Sequence, residues 1–293
     1  AALDRERFMT ESSRDQSVKN SSPFLERLLS LRGKTALVTG ATGVLGRHFS
    51  SALAGAGANV VLLDLDQDAL NLLAQELAQT HGVQAVGVKC DLSSAETIRE
   101  VMPPVIAKYQ PEILLNNAAS KGPDINRFFD PPSSFSPEIW REIMAVNLDA
   151  MFWMAQLVAD ALVARKTAGS LIQVSSIYGV VAPDQRIYEG SEYLGRQINT
   201  PAIYSASKGG VVALSRYMAT YWGSHGIRSN TLTPGGVFSG QNDTFVKSYS
   251  SRVPLGRMGR AEDLIGAMVF LASDASGYIT GQNIIIDGGW TAW

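Results

Sequence analysis

Residues 34–64 read KTALVTGATGVLGRHFSSALAGAGANVVLLD, and the fold follows from this stretch. TALVT (35–39) is a short run of apolar and β-branched residues without polar alternation, which suits a strand buried on both faces. It runs into GATGVLG (40–46), where Gly40, Gly43 and Gly46 permit a tight turn and close backbone approach at the start of a helix-length segment, 44–57. NVVLLD (59–64) is a second strand-sized run that ends in an acid. Strand, glycine turn, helix and strand make one βαβ unit with a right-handed crossover.

The alternation continues to the end of the chain. AVGVKCD (85–91), EILLNNA (112–118), SLIQVSS (170–176), IRSNTLTP (227–234) and NIIIDGG (283–289) are separated by helix-length segments at 67–80, 93–109, 136–165, 203–223 and 261–273. Such repeats predict the α/β class: a doubly wound Rossmann fold with a seven-stranded parallel sheet and helices on both faces. No linker or low-complexity tract interrupts 31–293, which is expected to form one domain. Residues 1–30 read as an extension: a polar, flexible arm over 1–22, then a short helix over Phe24–Leu31. Docking of this extension on a neighbouring subunit is the alternative.

Composition narrows the function. The 293 residues are 45% hydrophobic and 18% charged, the signature of an ordinary packed core. Lys+Arg 25 against Asp+Glu 27 gives a net charge of -2, so no global basic field gathers nucleic acid or an anionic membrane. One cysteine, Cys90, permits no internal disulfide or multi-thiolate metal site, and His48, His81 and His225 are too scattered to suggest a metal centre. No apolar run approaches the roughly 20 residues of a membrane span. The first residues lack the apolar core of a secretory signal, so the cytoplasm is the expected location.

Two ends of the sheet carry chemistry. Asp64 follows Gly46 by 18 residues, the place where an acid accepts hydrogen bonds from an adenosine ribose and repels a 2′-phosphate. That favours NAD over NADP. Asp66 and Asp68 read as helix-cap or first-turn carboxylates, and Asp91 either meets the adenine edge or caps the helix after Leu92. Tyr204 and Lys208, in YSASK (204–208), lie at i and i+4 on one helix face, and Ser176 is expected to stand exposed where the fifth strand ends. A tyrosine of pKa about 10 must fall by roughly 2–3 units to act as a base near neutral pH, and one cation about 4 Å away supplies about 4 kcal/mol at an effective dielectric near 20. Lys208, helped by the positive charge of an oxidised nicotinamide, is sufficient in principle.

With these residues in view the chain resembles a short-chain dehydrogenase/reductase over about residues 31–293. The likeness rests on TGATGVLG (39–46), CDL (90–92), LLNNAA (114–119), VNLDAMF (146–152), IQVSS (172–176), YSASK (204–208), IRSNTLTPGGV (227–237) and FLASDASGYITGQNIIIDGG (270–289). The resemblance implies that Tyr204 is the acid/base, Ser176 holds the substrate oxygen, Lys208 binds the nicotinamide ribose and Asn147 holds a relay water. It places the cofactor against Gly40, Thr42, Gly43, Val44, Leu45, Gly46, Asp64, Asp91, Leu92, Asn117, Pro234, Gly235, Val237 and Ser239. Assembly as a homotetramer or homodimer is implied too; segment 136–165, apolar on more than one face, and the ending with Trp290 and Trp293 agree with it. Intramolecular packing of both tryptophans is the alternative.

Three departures from the family pattern stand out. Gly43-Val44 reverses the usual order in the glycine loop and lacks the basic residue of many NADP-dependent members; Ala119 stands where a glycine is usual. The largest is the 28-residue separation of Ser176 from Tyr204, roughly twice the common one, which marks a substrate-side insertion at about 183–201. Its substrate-facing candidates are Arg186, Tyr188, Tyr193 and Arg196, with subunit contact, a solvated excursion or, for the arginines, a surface ion pair with Glu189 or Glu192 as the other readings. Lys121 and Arg127, in 121–136, add positive charge, and 238–252 reads as a mobile flap. A polar lining points to a sugar, polyol or sugar acid, as in the family's gluconate 5-dehydrogenase type. An NADPH-linked 3-oxoacyl carrier-protein reductase and a non-catalytic nucleotide sensor are the alternatives; Asp64 argues against the first, and the joint presence of Asn147, Ser176, Tyr204 and Lys208 against the second.

Overall fold

The computed structural model describes residues 23–193 and 195–293. The arm expected over 1–22 lies outside the described residues. A first helix, α1 (Pro23–Leu29), precedes β1 (Thr35–Thr39), α2 (Val44–Gly55), β2 (Asn59–Asp64), α3 (Gln67–His81), β3 (Ala85–Lys89), α4 (Ala95–Tyr109) and β4 (Ile113–Asn116). Then come α5 (Ile125–Phe128), α6 (Pro137–Met144), α7 (Ala150–Arg165), β5 (Gly169–Val174), a hairpin of β6 (Glu192–Tyr193) and β7 (Arg196–Gln197), and α8 (Ala202–Trp222). The chain closes with β8 (Ile227–Pro234), α9 (Asp243–Ser250), α10 (Glu262–Ala272) and β9 (Asn283–Ile286). Seven strands form one sheet in the order β3-β2-β1-β4-β5-β8-β9, each pair parallel. The order reverses between β1 and β4, and a crevice opens there at the carboxyl edge.

Continuous apolar strands are explained by cover on both faces. Ala36 and Val38 of β1 pack with Phe49, Leu53, Leu70, Leu264 and Met268 from α2, α3 and α10. Leu37 points the other way, into Met102, Met154, Val158, Leu162 and Met218 from α4, α7 and α8. Each buried aliphatic side chain contributes about 1.5–3 kcal/mol, so the strands stay locked at their register. A third cluster, with Tyr178, Tyr188, Phe245, Tyr249 and Trp290, sits above the carboxyl edge and joins the insertion to α9 and the C-terminal segment.

The segment expected as one helix over 136–165 is interrupted. A π turn, Ala145–Asp149, separates α6 from α7 and widens the backbone at Asn147. Pro137–Arg165 is long and apolar enough by composition to cross a membrane, but α7 packs against α4, β4 and β5, which accounts for its apolarity. Trp153, one of its outward residues, meets the Arg99 guanidinium 4.9 Å from its ring centroid. Trp290 is buried within its own chain, stacked on Tyr249 at 4.4 Å, whereas Trp293 is exposed.

Candidate active site

The glycine turn opens the nucleotide cleft. Gly40 takes φ +64°, and a Cβ at Gly46 would stand 2.0 Å from the Gly40 carbonyl oxygen, so α2 can start against the turn only with glycine there. Gly43 caps α2 with no side-chain hydrogen bond, which leaves the first-turn N–H groups free for an anion. Asn117 pins the turn from β4: its Nδ2 donates to the carbonyls of Thr39 and Gly40, both at 3.1 Å. The cleft measures about 770 Å³, and Gly40, Thr42, Gly43, Val44, Leu45, Asp64, Asp91, Leu92 and Asn117 all line it. Gly46 lies beneath the turn instead, as its contact with Gly40 requires.

Asp64 closes the far end of this cleft. Its carboxylate accepts the Thr42 N–H, the Thr42 hydroxyl and, through Oδ1, the Leu65 N–H at 2.8 Å. Asp91 accepts from the N–H of Ser93 at 2.9 Å and its hydroxyl at 2.7 Å, while Ser94 rather than Asp91 caps α4. Neighbouring Cys90 is buried, and burial pushes its thiol up to about 11, which disfavours the thiolate. Free N–H groups at α2, the close-approach glycines and a carboxylate at the ribose end fit a dinucleotide such as NAD.

A second cavity, about 360 Å³, shares Leu45, Asn117 and Ala119 with the first. Ser176, Tyr204 and Lys208 line it, together with Pro234, Gly235 and Val237. Lys208 is 2% exposed; its Nζ donates to the Val174 carbonyl at 3.0 Å and lies 6.0 Å from the Tyr204 ring centroid. Burial lowers its pKa to about 8. The backbone at Gly179 presses on this turn of α8, where an added Cβ would come within 2.5 Å of the Lys208 carbonyl carbon. For Tyr204, burial raises the pKa and hydrogen bonding with Ser176 lowers it.

Two expectations change here. Ser176 is buried, 8% exposed, not exposed at the strand end, because the insertion roofs it. Asn147 is fully buried behind Ser120: its Oδ1 accepts the Ser120 N–H at 2.7 Å and its Nδ2 donates to the Ser120 carbonyl at 3.2 Å. Its side chain lines neither cavity and is committed to holding the segment after β4.

The insertion supplies the roof, but through other residues than its arginines. Tyr188 is buried and lines the cavity with Asn199, Thr200 and Pro201; its hydroxyl bonds Thr200 Oγ1 and lies 3.4 Å from the Tyr178 hydroxyl. Arg186 points outward, 77% exposed, with its Nε 2.8 Å from Asp184 Oδ1. Arg196 is spent on Asp130, at 3.1 Å, and on the Asn126 carbonyl. Tyr193 is an exposed hairpin residue, and Arg127 lies exposed on α5, where its charge acts on Glu138. None of Arg127, Arg186, Tyr193 and Arg196 lines the cavity; Lys121 does. Ser239 does not either: it faces solvent and bonds Gln241, and Gln241 is the residue that lines the cavity.

The flap 238–252 contains a helix, α9, whose Phe245 and Tyr249 are buried in the cavity wall. Tyr188 stacks on Phe245 at 5.4 Å, Phe245 meets Tyr249 at 5.8 Å, and the Tyr249 hydroxyl accepts the Gly236 N–H. Tyr178, Phe245, Tyr249 and Met258 were not among the residues singled out from sequence. The spacing of Phe245 and Tyr249 at i and i+4 was the available signal.

The family model for short chain dehydrogenases matches residues 34–249. Galactitol 2-dehydrogenase (L-tagatose-forming) of Cereibacter sphaeroides is 32% identical over 272 residues, 90% of this chain and 97% of that protein. A crystal structure of a gluconate 5-dehydrogenase from Burkholderia cenocepacia J2315, in complex with NADP and tartrate, is 30% identical; the match covers 92% of this chain and 99% of that one, with a TM-score of 0.79. A short-chain dehydrogenase from Leptospira borgpetersenii with bound NAD+ is 27% identical, with a TM-score of 0.76 over 99% of this chain and 100% of that one.

Proposed function

The chain belongs to the short-chain dehydrogenase family, and from that premise we propose that it interconverts a secondary alcohol and a ketone on a sugar, polyol or sugar acid, with NAD as the partner in hydride transfer. The observation that carries this reading is the shared wall between the two cavities: Leu45, Asn117 and Ala119 join the dinucleotide cleft to the chamber of Ser176, Tyr204 and Lys208. A nicotinamide dinucleotide, when bound, supplies the acceptor for the hydride leaving the carbinol carbon.

The chain's own residues manage the proton. Ser176 Oγ holds the substrate oxygen, and Tyr204 Oη takes the hydroxyl proton in oxidation and returns it in reduction. Lys208, with Nζ 6.0 Å from the Tyr204 ring centroid, is the nearby cation that favours the tyrosinate. This opposes the upward push of burial on Tyr204. Because the Asn147 amide is engaged by Ser120, its part is to fix the wall behind the segment after β4.

Asp64 supports NAD, since a 2′-phosphate there would meet a carboxylate already fixed by Thr42. Assembly as a homodimer or homotetramer belongs to the same reading; exposed Tyr217 and Tyr221 on α8 and Ile285 on the edge strand β9 support it.

Reduced-nicotinamide absorbance with NAD or NADP and a panel of alditols, aldonates, uronates and hydroxyacyl compounds tests the proposal, with Tyr204→Phe as control. Carbohydrate turnover that falls by about 10²–10⁴-fold in the variant is expected, with NADH affinity kept. Turnover that survives in Tyr204→Phe removes the proposed acid/base.

A further inference from the structure

Lys121 sits on the segment after β4, between residues that face the other way. Ser120, Gly122 and Pro123 line the nucleotide cleft, whereas Lys121 lines the substrate cavity. Among the described residues it takes part in no ion pair. No aspartate or glutamate lines that cavity either. Lys121 remains an exposed residue, and the partial desolvation of its ammonium lowers its pKa.

The other cations of the roof are engaged in ion pairs, and none of them lines the cavity. Asp184 holds Arg186 and Arg252, and Asp130 holds Arg196. Lys208 lies buried on the Val174 carbonyl beside Tyr204, where the reaction needs it. Lys121 is thus the one cavity-lining cation, among the described residues, with neither an acidic partner nor a part in the proton chemistry.

Resting on the function proposed above, we infer that Lys121 binds a substrate carboxylate, so that the substrate is a sugar acid rather than a neutral polyol. Tyr178, Tyr188, Thr200 and Gln241 line the same cavity and give it the polar side chains that suit a hydroxylated substrate. A phosphate dianion is the poorer match, because it calls for several cations or a row of free main-chain N–H groups. A single ammonium matches a single carboxylate.

The test compares matched six-carbon substrates, an aldonate, its alditol and a sugar phosphate, in steady-state NADH formation by the wild type, Lys121→Gln and Lys121→Arg. The wild type is expected to prefer the aldonate, and its aldonate KM to rise with salt. In Lys121→Gln the ratio of aldonate to alditol kcat/KM falls by about tenfold to a hundredfold, through KM, and Lys121→Arg largely restores it. A wild type that prefers the alditol or the sugar phosphate, or a ratio untouched by Lys121→Gln, overturns the inference while the reaction class stands. Turnover of none of these carbohydrates, from protein that still binds NADH, overturns the reaction class and the inference with it.

Discussion

The carboxylate of Asp64 accepts both the main-chain N–H of Thr42, at 2.9 Å, and the Thr42 hydroxyl, at 2.6 Å. The end of β2 is thereby tied to the glycine turn, and in the proposed reading the fixed carboxylate faces the ribose 2′ position. Asp64→Ser removes that charge. The NAD-to-NADP ratio of kcat/KM is expected to fall by about tenfold or more, since relieving one like-charge contact is worth roughly 1.4 kcal/mol or more. Initial rates with each cofactor check this, and an unchanged ratio refutes the role assigned to Asp64.

Gly46→Ala tests the cofactor cradle itself. Its Cβ would stand 2.0 Å from the Gly40 carbonyl oxygen and 2.9 Å from Ala41 Cα, both main-chain atoms of the turn. The turn must move off α2, spoiling the approach of the pyrophosphate to the first-turn N–H groups. NADH binding followed by fluorescence titration is expected to weaken by about tenfold or more while the protein stays folded. Wild-type affinity in Gly46→Ala would show that the pyrophosphate sits elsewhere.

Lys208, the proposed partner of Tyr204, also makes stability depend on pH. Its pKa is lowered by burial to about 8 from 10.5, so between these values the unfolded chain holds the proton and the folded chain does not. Stability contributed by this group therefore rises with pH across that window and is flat below it. Relative to Lys208→Met, the wild type should gain about 2 kcal/mol between pH 7 and pH 9.5. Urea unfolding of both proteins at the two pH values measures the difference. A gap that does not move with pH means that Lys208 keeps its ordinary affinity for the proton.

The parts of the molecule that were legible in the sequence are those written in local periodicity. Strand runs such as NVVLLD, the turn at Gly40–Gly46 and the helical pairing of Tyr204 with Lys208 depend on neighbours within a few residues. The π turn at Ala145–Asp149 was hidden because the apolar helical pattern passes through it unbroken. Charge misled for a different reason: the sequence displays Arg186, Arg196, Asp184 and Asp130 alike but not which of them pair, and the ion pairs that form, already one reading of the arginines, hold both away from the cavity. Tyr178, Phe245 and Tyr249 were hidden because aromatic residues read as core, and here the core is the wall of the site.

Asp184 joins that wall to the rest of the chain. One carboxylate oxygen accepts the Arg186 N–H at 3.1 Å, and the other meets the Arg252 guanidinium, which in turn lies 5.3 Å from the Trp290 ring centroid. The insertion, the end of α9 and the C-terminal segment therefore meet at one side chain that is only 16% exposed. Asp184→Ala leaves both arginines without their carboxylate and the turn before Tyr188 without its cap. Because the arginines reach solvent, the stability lost is modest, about 1–2 kcal/mol. The larger effect falls on the substrate: Tyr188 and Thr200 are no longer held over Tyr204, and KM is expected to rise about threefold to tenfold with kcat and NADH affinity nearly kept. Arg186→Ala, which removes only the outer partner, should change KM by less than about twofold. Steady-state kinetics on the three proteins separate the cases, and equal KM values in all of them would mean that Asp184 holds the insertion without shaping the cavity.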